Sequence, residues 1–215
     1  MFIDPETSVD LKRSIFNAIV APRPIGWIST MSAAGQVNLA PFSHFNIVST
    51  SPPVLIFSCN SPEDRPEKDT LVNVRATGEF VFNLVSYDLR EAMNLTSTAA
   101  PHGVDEFELA KLEKAACIKV RPPRVAASPA NLECRLLQIV EIAPVVKGDT
   151  PSNVVFGRVV GLHVQDQFFD GAGRFDTVKA QPLTRLGGIQ YAPPGPIVEM
   201  PQPFKRAAET KREAS

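Results

Sequence analysis

The residues best suited to touching a ligand crowd into one stretch. It comprises Ala21-Pro22-Arg23-Pro24-Ile25-Gly26-Trp27-Ile28-Ser29-Thr30, Asn38-Leu39-Ala40-Pro41-Phe42-Ser43-His44-Phe45-Asn46 and Ser51-Pro52-Pro53. Small hydroxyls, an amide and stiff prolines surround two apolar runs separated by the turn Ala33-Ala34-Gly35-Gln36. Such a hairpin fixes its backbone N–H and C=O groups before any ligand arrives. That suits a flat heterocycle with polar edges, held by backbone contacts and a few hydroxyls. The same residue types also describe an ordinary Ser/Thr-rich hairpin at a sheet edge, and taken alone they favour that plainer reading.

A second group is Lys68-Asp69-Thr70, at the start of a short apolar-periodic segment closed by Gly78. Unpaired N–H groups, the positive end of the helix dipole, a hydroxyl and a lysine together make a phosphate seat. The plainer reading is a helix cap beside a surface lysine, with Asp69 or Thr70 as the cap. Asp69 would repel a phosphate, so it is expected to cap the helix or to pair with Lys68 or Arg65. Arg23 is a second candidate cation.

Other chemistries are disfavoured. The three cysteines (Cys59, Cys117, Cys134) are odd in number and far apart, and the three histidines (His44, His102, His163) form no pair at ligand spacing. No disulfide framework, zinc ribbon or catalytic zinc is expected. Gly-x-Gly-x-x-Gly, Walker and Gly-x-Ser-x-Gly patterns are absent, which disfavours Rossmann dehydrogenases, P-loop ATPases and α/β-hydrolases. Trp27, Cys59 and His163 read as core or structural residues. His44 alternates with Ser43 along a strand and so faces away from it.

The positioning elements are mostly short strands. Of 215 residues, 44% are hydrophobic and 21% charged, and 22 Lys+Arg against 23 Asp+Glu leave a net charge of −1, so nothing draws the chain to nucleic acid or an acidic membrane. No apolar run reaches the roughly 18 residues of a membrane span. The opening Met1-Phe2-Ile3-Asp4-Pro5-Glu6 lacks a signal-peptide layout, so a cytoplasmic protein is expected. Twenty prolines punctuate the chain heavily. Strands are expected at Ile25–Met31, Val37–Phe42, Val54–Cys59, Phe80–Val85, Asn131–Ile142 and Asn153–Gln165, the last with Phe156, Val160, Leu162 and Val164 on one face. Gly157 and Gly161, on the opposite face, mark a bulge or close packing of another group. Short helices are expected over Val9–Asn17, after Ser86 as cap, and over Asp105–Leu112. The fold class is mostly β, a closed or partly closed antiparallel barrel with a few peripheral helices. Pro193–Pro203 should be extended, and Lys205–Ser215 is charged and should fray or wrap a neighbour.

Taken in order, these motifs resemble the flavin reductase-like, FMN-binding split-barrel family. The carriers are the Pro22-Arg23-Pro24-Ile25 opening, Trp27-Ile28-Ser29-Thr30, Asn38-Leu39-Ala40-Pro41-Phe42-Ser43 and Pro52-Pro53. Lys68-Asp69-Thr70-Leu71, Gly78-Glu79-Phe80-Val81, Asp105-Glu106-Phe107, Glu133-Cys134, Phe156-Gly157-Arg158-Val159 and Arg185-Leu186-Gly187-Gly188 follow. The likeness spans roughly residues 16–192. It implies a six-stranded antiparallel split β-barrel over 1–192, followed by a Pro-rich, then charged tail over 193–215. It also implies a homodimer with FMN near the subunit interface. Carried over by position, Ser29, Thr30, Asn38, Pro41, Phe42, Ser43 and Asn46 line the flavin, with Thr30 and Ser43 donating to its oxygens. Lys68, Thr70 and Arg23 serve the phosphate. No side chain is required as an acid or base, since the flavin carries the chemistry.

The implied function is an FMN-dependent oxidoreductase moving hydride or electrons between a reduced nicotinamide and free flavin or another small acceptor, with a monooxygenase as a candidate partner. An oxidase or oxygenase acting on its own small substrate, or a flavin-binding protein without turnover, stays open beside it. One departure bears on this choice. Short reductases that feed monooxygenases carry Gly-Asp-His where this chain has Thr150-Pro151-Ser152, so a histidine that helps seat the nicotinamide is missing. The Arg-Pro-Ile opening and Arg-Leu-Gly-Gly ending fit another branch of the family, and slow use of NADH or NADPH is expected.

Overall fold

The structure is a computed structural model that describes residues 2–4, 9–60, 67–98, 100–144 and 150–201, with side chains in the first helix described from Ser14 onward. Arg65, Pro203 and Lys205–Ser215, on which some expectations fell, lie outside the described residues. In chain order the elements are α1 (Val9–Ile19), β1 (Arg23–Pro24), β2 (Gly26–Met31), β3 (Val37–Phe42), β4 (Phe45–Thr50), β5 (Pro53–Asn60), α2 (Asp69–Thr77) and β6 (Glu79–Asn83). Then come α3 (Arg90–Leu95), α4 (Glu106–Leu109), β7 (Lys114–Ala115), β8 (Arg124–Val125), β9 (Ala130–Ile142), β10 (Ser152–Val164), α5 (Thr177–Ala180), β11 (Thr184–Arg185) and β12 (Tyr191–Ala192).

Seven strands form one antiparallel sheet in the order β3-β2-β6-β9-β10-β5-β4. Its two edge strands, β3 and β4, are consecutive in the chain and joined only by Ser43 and His44. A sheet whose opposite edges are tied by so short a link must curl until those edges meet, which is how the barrel closes. The Phe42 and Phe57 rings, 5.0 Å apart, pack across that seam. The mostly β split barrel with peripheral helices is therefore as expected. No described helix is long and apolar enough to cross a membrane.

The sheet has one strand more than the six implied by resemblance. β4 escapes the alternation test because Val48 is an extra residue bulged between Ile47 and Ser49, and Asn46, Ile47 and Val48 are all exposed. A second bulge, at Val160 between Val159 and Gly161, corrects the single face expected for Phe156, Val160, Leu162 and Val164; Leu162 is 70% exposed. The glycines of β10 do mark close packing. A Cβ on Gly157 would stand 2.2 Å from Cζ of the buried Phe80 ring.

Two cores lie on the two faces of the sheet. Inside the barrel, Ile28, Phe42, Leu55, Phe57, Phe80, Cys134 and Val155 pack with Leu71 and Val74, so α2 plugs the barrel. Outside, Ile25, Trp27 and Leu39 pack with Val85, Met93, Phe107, Val125 and Leu183. Trp27 is fully buried and donates to Thr96 Oγ1 at 2.9 Å, the core role expected of it. The helix expected over Asp105–Leu112 is shorter, Glu106–Leu109, capped by the Asp105 carboxylate at Phe107 N. Lys111, at φ 53°, has left helical geometry. The helix expected after Ser86 is present as a 3-10 turn, Tyr87–Leu89, that runs into α3 and packs Leu89, Ala92 and Met93 on the outer core, but Ser86 makes no side-chain cap bond. Residues 193–201 contain no strand or helix, and Ile197, Val198 and Met200 are exposed.

Candidate functional site

The hairpin β2–β3 and the start of α2, separate in sequence, come together along a polar seam. Asn38 Nδ2 donates to Thr70 Oγ1 at 2.9 Å, and Asn73 Nδ2 donates to Thr30 Oγ1 at 3.0 Å. All four side chains are buried, so each amide–hydroxyl pair satisfies groups that would otherwise be expensive to bury. Because both hydroxyls act as acceptors here, each keeps its own proton for a further acceptor. Lys68 Nζ lies 5.5 Å from the centroid of the Phe42 ring, linking the helix start to the end of β3.

The expected cap at Asp69 or Thr70 is corrected. Helix α2 starts at Asp69 itself, and Lys68 holds the cap position without a side-chain bond. The physical reason is competition for the two side chains. Thr70 is held by Asn38, and the Asp69 carboxylate meets His102 Nδ1 at 2.8 Å. Of the two partners expected for Asp69, Lys68 forms no ion pair with it, and Arg65 lies outside the described residues. Among the described residues Lys68 has no carboxylate within ion-pair reach.

The free edge of β3 is defined by how its donors are used. Leu39 N points away from β2 and donates to Glu106 Oε2 at 2.9 Å. Pro41, two residues on and opposite Trp27, has no N–H to offer on that side. Glu106 is 7% exposed, and burial pushes its carboxyl above the ordinary range, against the pull of the Leu39 hydrogen bond. The crevice between the hairpin tip and α2, lined by Asn38, Asp69, Asn73 and His102, has only about 10 Å³ of room. It admits a water at most. A planar ligand does not fit inside the seam.

The remaining candidate residues are distributed as follows. Ser29 points to the outer face, donating to Pro123 O at 2.6 Å and accepting from Asn83 at 3.3 Å, while its neighbour Thr30 faces α2. Ser43 is half-buried in the corner between β3 and β4. Asn46 is exposed, and its Oδ1 accepts from Ile47 N at 2.8 Å. Arg23 stands apart from Lys68 and Thr70 in its bonding. It is 9% exposed, donates to the carbonyls of Asn17, Val20 and Leu186, and keeps one buried Nε–H without a partner. It clamps the end of α1 to the Arg185–Gly188 segment, and burial together with Arg185 lowers its pKa. Next to it, His44 bonds to Asn17 Oδ1 at 3.1 Å; burial and the Arg23 charge pull its pKa down. Ser152, at the matching place of the absent histidine, is locked by Ser58 and Asn60, each at 2.8 Å. Glu106 and His102 were missed in the sequence as parts of this region. Only the sequence signal Asp105-Glu106-Phe107 hinted at the first, and nothing hinted at the second.

Residues 20–179 match the flavin reductase like domain. An uncharacterized protein of Aquifex aeolicus is 37% identical over 190 residues, covering 88% of this chain and 93% of that one. Nitrilotriacetate monooxygenase component B from Bacillus cereus superposes with a TM-score of 0.86 at 28% identity, over 93% of this chain and 98% of that one. The 2-nitrobenzoate 2-nitroreductase of Pseudomonas fluorescens gives 0.80 at 25% identity, over 96% and 100%. With a domain match over most of its length and a relative more than a third identical, this chain belongs to the flavin reductase-like family.

Proposed function

We propose that this chain is an FMN-binding oxidoreductase that moves hydride or electrons between a reduced nicotinamide and flavin or another small acceptor. The observation that carries the reading is the meeting of the α2 start with β3, through Asn38–Thr70 and Lys68–Phe42. In this reading Lys68 and the hydroxyl of Thr70, at the start of α2, hold the phosphate. The ring lies along Pro41, Phe42 and Ser43, with Asn46 at its rim. Thr30 and Asn38 position α2, and Ser29 holds the loop behind β2. Bound FMN would supply the hydride acceptor, while these residues fix its place and limit water. The Asp69–His102 contact draws the carboxylate charge towards a partner, which lessens its conflict with a phosphate.

The chain also acts as a homodimer in this reading. A second copy covers the ring along Pro41–Ser43. The exposed Ile47 and Val48 of β4 and Val140 and Ile142 of β9 offer apolar surface for one. Residues 1–192 form the flavin-binding unit, and the Pro-rich segment from Pro193 lies on the partner. The reduced thiols and near-neutral charge suit a cytoplasmic enzyme, with a monooxygenase as one acceptor of its flavin. Ser152 favours a second reading, an FMN enzyme that acts on its own small substrate, because a hydroxyl locked between Ser58 and Asn60 offers a nicotinamide no ring.

Fluorescence titration with FMN and riboflavin tests the site. A lysine–phosphate contact is worth about 1.5–3 kcal/mol. Lys68→Ala should therefore weaken FMN by roughly tenfold to a hundredfold and leave riboflavin nearly unchanged. Equal losses for both ligands would reduce the segment to a helix start. Anaerobic stopped-flow mixing with NADH separates the two readings: slow, weakly saturating reduction agrees with the missing histidine, and reduction only by an organic donor selects the second.

A further inference from the structure

On the outer face of the barrel, away from the β3–α2 seam, a buried carboxylate gathers two metal-binding side chains from distant segments. Glu133 is 1% exposed. Its Oε1 accepts from Ile118 N at 2.8 Å, and its Oε2 from Lys119 N at 2.5 Å and Val120 N at 3.1 Å. His163 Nε2 stands 2.5 Å from Oε1. Cys117, just before the three donating amides, completes the group: its Sγ, the His163 nitrogen and the Glu133 oxygen all lie within 4.8 Å of one another.

The β10 bulge brings them together. It places Gly161 opposite Glu133, and His163 opposite Asn131. A Cβ on Gly161 would lie 3.3 Å from Glu133 Cδ, so the missing side chain leaves His163 a path to the carboxylate. A recess of about 340 Å³ lined by Arg124, Asn131, His163 and Gln165 opens beside the cluster and gives an ion a way in.

We propose that Cys117, Glu133 and His163 form a three-ligand site for a late first-row divalent cation of the Zn²⁺ type. One thiolate, one imidazole and one carboxylate are the donor mixture such ions take, whereas Mg²⁺ and Ca²⁺ take oxygens alone. Ligand bonds of about 2.0–2.3 Å place tetrahedral donors roughly 3.2–3.7 Å apart. The present separations therefore need shifts of about 1 Å, which half-buried Cys117 and His163 can supply. The thiol proton leaves to solvent as Sγ takes the ion. The ion fastens the loop after Cys117 to the sheet. That loop also reaches the hairpin, since Pro123 O accepts from Ser29, so the site would stiffen the wall behind β2. Spacing in the sequence hides the site, because its three ligands come from three separate segments.

Cobalt serves as the probe. Protein stripped with a chelator is titrated with Co²⁺ while absorbance is followed, and Zn²⁺ affinity is measured by competition with a chromophoric chelator. One equivalent of Co²⁺ should give a thiolate-to-cobalt charge-transfer band that Zn²⁺ abolishes. Cys117→Ser should remove the band, His163→Gln should weaken Zn²⁺ at least tenfold, and Cys59→Ala should retain the band. Absence of the band in the wild-type chain would overturn the site without recourse to any variant. So would a band that survives Cys117→Ser, or equal Zn²⁺ affinity in the wild type and the Cys117→Ser/His163→Gln double variant. Circular dichroism of each variant confirms that a lost signal is not a lost fold.

Discussion

Replacing Glu106 separates its hydrogen bond from its charge. Its Oε2 is the acceptor for Leu39 N at 2.9 Å, and Leu39 is completely buried. Glu106→Leu removes that acceptor and strands the N–H on the strand that borders the proposed ring seat. An unsatisfied buried donor costs about 1–3 kcal/mol. In a chain of this size that is a fall in Tm of roughly 2–12 °C. Glu106→Gln keeps an amide oxygen for Leu39 but carries no charge. Burial raises the native carboxyl's pKa, so its favourable contribution is complete below the unfolded value, near 4.3, and is lost as pH rises through the folded value. Wild-type stability should therefore decline relative to the Gln variant between about pH 5 and about pH 8. Urea unfolding at both values measures this. The reasoning fails if Leu and Gln are equally destabilising at both values, or if the wild type gains on Gln as pH rises.

The interior makes two further predictions. Gly157→Ala would place a Cβ 2.2 Å from the Phe80 ring, which is itself packed edge-on against Phe57, so a denaturant midpoint should report a loss of about 1–3 kcal/mol. An unchanged midpoint would mean that the ring moves freely. Burial pushes the Cys59 thiol up to about 11, and the residue is fully inaccessible. Alkylation at about pH 8 should leave it unmodified in the native chain and label it rapidly in denaturant, as peptide mass spectrometry can read.

Strands with regular alternation were legible in the sequence. β2, β3, β5, β6, β9 and β10 each appear within a residue or two of their expected ends, because buried and exposed positions alternate or an apolar run is bracketed by Pro and Gly. β4 was hidden for the opposite reason: Val48 bulges, and its neighbours Asn46 and Ile47 face solvent at a sheet edge. The hairpin and Lys68-Asp69-Thr70 were each legible as segments. Their partners were not, since Asn38–Thr70, Thr30–Asn73 and Asp69–His102 depend on how α2 plugs the barrel. Local propensity favoured capping, whereas tertiary contacts claimed both side chains. Arg23 shows the same limit. Its place in the Pro-Arg-Pro motif suggests a ligand contact, yet the structure gives most of its donors to backbone carbonyls.

A crystal structure of the chain grown with FMN is the most direct measurement of the central claim. The account predicts the phosphate within hydrogen-bond distance of Lys68 Nζ and of the Thr70 hydroxyl. It predicts the ring along Pro41–Ser43, with a second copy of the chain closing over it. A flavin whose phosphate lies away from Lys68, or a ring seated clear of the β3 edge, would contradict it.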